Sequence, residues 1–472
     1  MKRNHQGIAS YLLSDWLSAL LAWASFFIFR KTALQHASLQ DYAVFLNDSK
    51  FYIGILLIPL CWLLIYFFTG TYYTVYRKSR ISEISKTFFV SLFGVIVLFF
   101  TIILDDQVQS YTEYYESVLF LLLVQFLLTG AGRLLLLNRA KQKLDSGRAG
   151  FNTLVVGGNK RAIEVYLTLQ KKKPRSGNYF IGFIDLNGNS TNGLSDYLPK
   201  LGKLEALERL ILEHQVEEVV VAIETSEHHQ LNQILHLLIS KNVVIKIIPD
   251  NYDILLGSVR MSHVLGEAFI EIYPELMSRW QYNMKRTMDI SISIGVLLLL
   301  SPLYLYCALR VKAGSPGPVF YSQKRVGLHG KHFLIYKFRS MVENAEKDGP
   351  LLSNKDDQRV TAWGRIMRKW RLDELPQFFN VLKGDMSLVG PRPEREFYIH
   401  QIVLQAPDYK HLQRVKPGLT SWGMVKYGYA ENVEEMIRRM KFDLVYIENM
   451  SLLLDFKIML YTIRTILQGR GV

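Results

Sequence analysis

Cysteine is scarce: the 472 residues hold two, Cys61 and Cys307, both inside apolar stretches. Neither a disulfide framework nor a zinc-thiolate site follows from so few. Acidic residues are outnumbered, 42 Asp and Glu against 56 Lys and Arg, leaving a net charge of +14. Such an excess suits nucleic acid, anionic lipid head groups or phosphorylated substrates. No small-residue cleavage site follows the first apolar run, so it reads as a retained helix and not a signal peptide. The middle of the chain lacks a G-x-G-x-x-G turn and a Tyr-x-x-x-Lys pair, which argues against a nucleotide-sugar oxidoreductase or epimerase.

Long hydrophobic runs are plentiful. Four lie at residues 8–29, 51–69, 84–104 and 117–137, each near the ~20 residues that cross a bilayer. Lys2 and Arg3 precede the first, Arg77, Lys78 and Arg80 lie between the second and third, and Arg139, Lys141, Lys143 and Arg148 follow the fourth. The loop between the third and fourth carries Asp105, Asp106, Glu113 and Glu116 and no Lys or Arg. This bias puts both ends of a four-helix bundle in the cytoplasm. The basic residues thus accompany apolar, membrane-facing positions, so nucleic acid is not expected as a partner.

Residues 150–271 turn soluble. Apolar runs at 153–156, 181–184, 219–223 and 243–248 alternate with helical patterns at 161–170, 204–214 and 229–240. Such alternation predicts a parallel, doubly wound, Rossmann-like sheet. Gly157-Gly158 follows the first strand and Asp185 ends the second, where a ribose-binding acid would sit. The incomplete glycine fingerprint favours a structural or regulatory module over a nucleotide site.

A fifth apolar segment covers 287–309, with Arg279, Lys285 and Arg286 before it and Arg310, Lys312, Lys324 and Arg325 after it. Basic flanks on both sides want one face of the membrane. Pro302 removes a backbone donor inside the run and bends it, and the Ser301 hydroxyl can serve a freed carbonyl. The expectation is a re-entrant helix; the alternative is an ordinary fifth span.

The last third concentrates chemistry. A glycine-rich hairpin leads into Lys337-Phe338-Arg339. Trp363, Ile366, Met367 and Trp370 share a helix face among Arg365, Arg368, Lys369 and Arg371, the pattern of an interfacial helix or of one packed on a soluble core. Next comes Leu372-Asp373-Glu374-Leu375-Pro376-Gln377, with a helix expected from Pro376 to a stop at Gly384. Carboxylates, cations and a helix start suit a metal-phosphate complex. Arg392 stands between Pro391 and Pro393, a stiff mount for a phosphate contact. Lys416-Pro417-Gly418-Leu419-Thr420 reads either as a turn that admits a ligand or as a structural turn.

In order and spacing, Ser301-Pro302, Lys337-Phe338-Arg339, the 372–377 and 384–393 segments and 416–422 resemble the bacterial sugar transferases, the monotopic polyprenyl-phosphate phosphoglycosyl transferases. The whole chain is similar to the long-form members. The resemblance implies a transmembrane bundle at 1–145, a CoA-binding-like Rossmann module at 146–275, and a mainly α catalytic domain at 276–472. That domain would carry a re-entrant helix at 283–311 and amphipathic interfacial helices. It further implies hexose-1-phosphate transfer from a UDP-sugar to undecaprenyl phosphate with UMP released, the first membrane step of exopolysaccharide, capsule or O-antigen synthesis. Asp373 would be the nucleophile and Glu374 the Mg²⁺ ligand. Lys337, Arg339, Arg368 and Arg392, between Pro391 and Pro393, would contact phosphates, and Lys416, Gly418 and Thr420 would approach the uridine. Glucose or galactose is the expected sugar, with an N-acetylated hexose open. The expected setting is the lipid of the bacterial inner membrane, with the catalytic domain facing the cytoplasm and a homodimer built through the middle module. A membrane-anchored scaffold is the rival from another class; it would function fully without Asp373.

Overall fold

Sustained apolar runs with few helix breakers produce four long helices: α1 (Lys2–Phe29), α2 (Ser49–Phe68), α3 (Arg80–Leu98) and α4 (Tyr111–Asp145). The computed structural model describes residues 2–34, 48–73, 75–103, 111–171, 177–186, 193–223, 230–239, 241–248, 269–272, 275–343, 345 and 357–468. Asp105 and Asp106, part of the orientation signal, lie outside the described residues. The chain forms two compact units, Met1–Phe151 with Tyr166–Tyr179, and Asn152–Val165 with Phe180–Val472.

In the first unit, all four helices are long and apolar enough to cross a membrane. Leu56, Leu60, Phe89, Phe93, Leu119 and Leu123 point outward, whereas Trp62, Tyr66, Val95 and Leu121 fill the interior. Charge is buried there too. Arg133 of α4 donates to both carboxylate oxygens of Asp15 on α1, at 3.0 and 2.9 Å, and to Thr87 of α3 at 2.8 Å. A buried arginine is tolerated in such surroundings only when paired, and this one ties three helices together.

The second unit holds nearly all of a six-stranded sheet. Its strands are β1 (Phe151–Val156), β2 (Asn178–Asp185), β3 (Lys200–Lys203), β4 (Glu218–Val221), β5 (Val244–Ile247) and β6 (Ile270–Ile272), ordered β3-β2-β1-β4-β5-β6. Leu154 lies opposite Val219 and Val219 opposite Ile245 in parallel register, while β6 runs antiparallel to β5. Parallel strands covered on both faces read as unbroken apolar runs, as in Val219–Val221 of β4. The helix α5 (Lys160–Lys171) follows β1, α6 (Leu207–Glu213) precedes β4 and α7 (Leu231–Ile239) precedes β5. Gly157 has a φ of +121°, and a Cβ there would lie 2.2 Å from the Ala222 carbonyl oxygen, so this glycine permits a close approach of backbone to backbone. Asp185 accepts a hydrogen bond from Lys200 at 2.7 Å.

The C-terminal region opens with α8 (Arg279–Leu299) and α9 (Ser301–Gly314), bent by 63° at Leu300. The Ser301 hydroxyl donates to the Leu298 carbonyl at 2.8 Å, satisfying an acceptor at the break. A hairpin follows, β7 (Phe320–Val326) and β8 (His332–Phe338), paired from Phe320 opposite Phe338 to Val326 opposite His332. Then come α10 (Ala362–Lys369), α11 (Gln377–Lys383), β9 (Ser387–Val389), α12 (Glu396–Gln405), β10 (Gly418–Thr420), α13 (Trp422–Lys426), α14 (Val433–Glu448) and α15 (Leu452–Leu467). Gly384 ends α11 with a φ of +93°, the stop its position predicts.

The aromatic face expected on α10 is divided. Met367 is buried against Cys307, Val311 and Phe338, and Trp363 packs edge-on against Tyr306. Ile366 and Trp370 remain exposed. The helix therefore docks one half of that face on α9 and leaves the other half open.

Candidate active site

Three local structures build the site. The β8 strand ends on Lys337-Phe338, a single 3-10 turn carries Leu372–Glu374, and the segment after β9 carries Pro391-Arg392-Pro393. Arg371, just before the turn, adopts the left-handed conformation with a φ of 55°, an uncommon state for a residue with a side chain. The turn sets Asp373 and Glu374 side by side and buried, 8% and 6% exposed.

Glu374 is held by three cations. Lys337 Nζ donates to its Oε1 at 3.0 Å, Arg371 donates to its Oε2 at 2.6 Å, and the Arg392 guanidinium stands 3.5 Å from Oε1. Burial alone would raise its pKa, but Lys337, Arg371 and Arg392 outweigh burial and hold the carboxyl well below the usual range. The neighbouring Asp373 carboxylate has neither a hydrogen bond nor an ion pair among the described residues. Burial raises its pKa, the negative Glu374 adds to this, and Lys337, Arg368 and Arg371 only partly oppose it. Two adjacent acids are thus driven in opposite directions, an arrangement that separates roles in catalytic carboxylate pairs.

The other expected residues are placed variously. Arg368 donates to the Ser340 hydroxyl at 3.1 Å while adding its field to Asp373. Arg339 turns away from the carboxylates: its guanidinium donates to the Pro316 and Ser315 carbonyls at 2.6 and 2.7 Å, capping the exit of α9. Tyr304 of α9 donates to the Leu375 carbonyl at 2.6 Å, so the bent helix is fastened beside the carboxylate turn. Gly418 donates to the Pro391 carbonyl at 2.9 Å, and a Cβ on Gly418 would sit 2.1 Å from the Gly390 nitrogen. The 416–420 segment thereby props the Pro-Arg-Pro mount. Thr420 meets Thr462 at 2.6 Å. Lys416 reaches Gly384, where its Nζ would lie 3.5 Å from an added Cβ; burial and Arg286 push its pKa down.

Three further groups were not assigned from sequence. Arg371 was legible only as one of several cations around a helix. Glu394, directly after Pro393, pairs with Arg439 at 2.5 Å and with Arg325 at 3.6 Å, bracing the mount from behind. Tyr429 lies beside both Arg371 and Arg392, far along the chain from either.

A family model described as bacterial sugar transferase matches residues 280–469, and one described as CoA-binding domain matches 68–249. The undecaprenyl-phosphate galactose phosphotransferase of Salmonella typhimurium is 32% identical over 337 residues, 68% of each chain. A UDP-N-acetylgalactosamine-undecaprenyl-phosphate N-acetylgalactosaminephosphotransferase of Aeromonas hydrophila is 43% identical over 217 residues, 46% of this chain and 51% of that one. A UDP-glucose:undecaprenyl-phosphate glucose-1-phosphate transferase of Escherichia coli is 33% identical over 264 residues, 56% of this chain and 57% of that one. The chain thus spans little more than half the length of the latter two relatives. It belongs to the bacterial sugar transferase family.

Proposed function

We propose that this protein transfers a hexose-1-phosphate from a UDP-sugar to undecaprenyl phosphate at the cytoplasmic face of a bacterial inner membrane. The observation that carries the reading is the pair of adjacent buried carboxylates, Glu374 clamped by three cations and Asp373 unpartnered. Asp373 attacks the β-phosphorus, the bond to the α-phosphate oxygen breaks, and UMP leaves. The sugar-phosphate remains on Asp373 as an acyl phosphate. An oxygen of the lipid phosphate then attacks that phosphorus and frees the carboxylate, giving the lipid diphosphate sugar. Covalent catalysis of this kind divides one difficult displacement into two.

Lys337, Arg371 and Arg392 supply fixed positive charge where a diphosphate must be neutralised. Arg368 adds to that field beside Asp373. The proposed cofactor is Mg²⁺. Among the described residues no group of three or more His, Cys, Asp or Glu could cage a metal. The donor set present fits an ion that takes one or two carboxylates and completes its shell with substrate phosphates and water. Glu374 would hold it, and when bound it would neutralise diphosphate charge. The bent α8–α9 pair is read as re-entrant, bringing the lipid phosphate to the level of the carboxylate turn.

The relatives' names give galactose, N-acetylgalactosamine and glucose, so the donor is tested as a panel. Purified protein with Mg²⁺ and UDP-glucose, UDP-galactose or UDP-N-acetylgalactosamine is followed for UMP, with and without undecaprenyl phosphate. Lipid-dependent UMP turnover with one donor supports the proposal. Its absence with every donor, in folded protein, contradicts it.

A further inference from the structure

Arg371 and Arg392 share a second partner besides Glu374. The Arg371 guanidinium carbon lies 5.3 Å from the centroid of the Tyr429 ring, and that of Arg392 lies 5.2 Å from the same centroid. Both arginines also meet Glu374, at 2.6 and 3.5 Å. Two guanidinium groups gathered this closely repel each other, and each needs a stabilising neighbour. A carboxylate provides one but cancels charge that a phosphate would otherwise meet. An aromatic face attracts a cation through its quadrupole while remaining neutral. Tyr429 is 38% exposed, so core packing does not account for its position.

We propose that Tyr429 is a positioning residue, its ring holding Arg371 and Arg392 as a pair whose charge stays directed at the diphosphate of a nucleotide-sugar donor. The inference rests on the transferase reading and goes beyond it by naming what keeps the arginine pair assembled when substrate and metal draw on Glu374.

The test compares Tyr429→Leu, which keeps apolar bulk and loses the ring, with Tyr429→Phe, which keeps the ring. Two cation–π contacts are lost in the first, so its kcat/KM for donor falls about tenfold, mainly through KM. Tyr429→Phe recovers most of that loss, and unfolding temperatures of both variants stay near wild type. In an Arg371→Ala background, Tyr429→Leu costs less than about threefold, because coupled residues are not additive. If wild type releases UMP and all three proteins share one kcat/KM, the Tyr429 assignment is overturned while the transferase reading stands. Equal losses in Leu and Phe also overturn it, since they point to the hydroxyl. If wild type releases no UMP, the transferase reading fails, and titration with inorganic pyrophosphate decides Tyr429 separately. Binding weakened about tenfold in Leu but not in Phe supports the assignment; equal binding in all three overturns it.

Discussion

At the scale of single residues, the site works by giving neighbouring acids unlike surroundings. Asp373 and Glu374 share a turn and similar burial, yet every ion pair goes to Glu374. Asp373 is thereby left without an ion pair, as the proposed nucleophile requires. Another buried acid, Asp443, lies behind the Pro-Arg-Pro mount. Burial pushes Asp443 up to about 6, against the opposing Gly423 N–H donated at 2.7 Å and the charge of Arg439. An acid whose pKa is raised by folding binds its proton more tightly in the folded state. Its contribution is full below the ordinary aspartate pKa of about 3.9 and is lost as pH rises through about 6. Asp443→Asn removes this dependence. Its unfolding free energy relative to wild type is expected to rise by about 2–3 kcal/mol between pH 4 and 7 and to level off above. Thermal or denaturant unfolding across that range checks it, and a difference that does not vary with pH would contradict it.

At the scale of elements, the bend between α8 and α9 decides on which side of the membrane the chain continues. In the re-entrant reading, Ser278→Cys and Ala313→Cys, made singly in a background without native cysteines, both react with an impermeant maleimide in inside-out vesicles. Neither reacts from the outside of spheroplasts. Labelling from opposite sides would establish a fifth span instead. The elements with strong local signals were legible: the apolar runs of the bundle, the Gly327–Gly330 hairpin turn, and α11 with its Gly384 stop. Three short strands without an apolar run were not. β3, β9 and β10 have three or four residues each, too few to show a period. β9 and β10 exist because Gly390 and Gly418 let two backbones meet. Arg339 shows the limit of motif reading. In a strand, Lys337 and Arg339 would share one face, but β8 ends at Phe338 and Arg339 turns to the carbonyls after α9. Tyr429 had no local signal, because its importance lies in two arginines remote in sequence.

At the scale of the whole molecule, the C-terminal region closes its own cores. One joins Ile335, Val381, Met386, Ile402, Met440, Tyr446 and Ile458, and another joins Cys307, Val311, Phe338 and Met367. Neither draws on a residue before 276. The fragment 276–472, purified in the same detergent, is therefore expected to release UMP from the donor used by the full chain, at a rate within about threefold. A folded but inactive fragment would show that the bundle or the sheet module is needed for chemistry. The bundle has its own internal logic in the Arg133–Asp15 pair, independent of the carboxylate turn. All three scales meet on Asp373, the proposed carrier of the sugar-phosphate. The most direct measurement is a single-turnover reaction with donor and Mg²⁺ but no lipid, quenched and analysed for UMP and for the intact mass of the protein. A burst approaching one UMP per chain is expected, with a hexose-phosphate mass gained on the peptide containing Asp373, and neither in Asp373→Asn. UMP formed only when lipid is added, with undiminished turnover in Asp373→Asn, would contradict it.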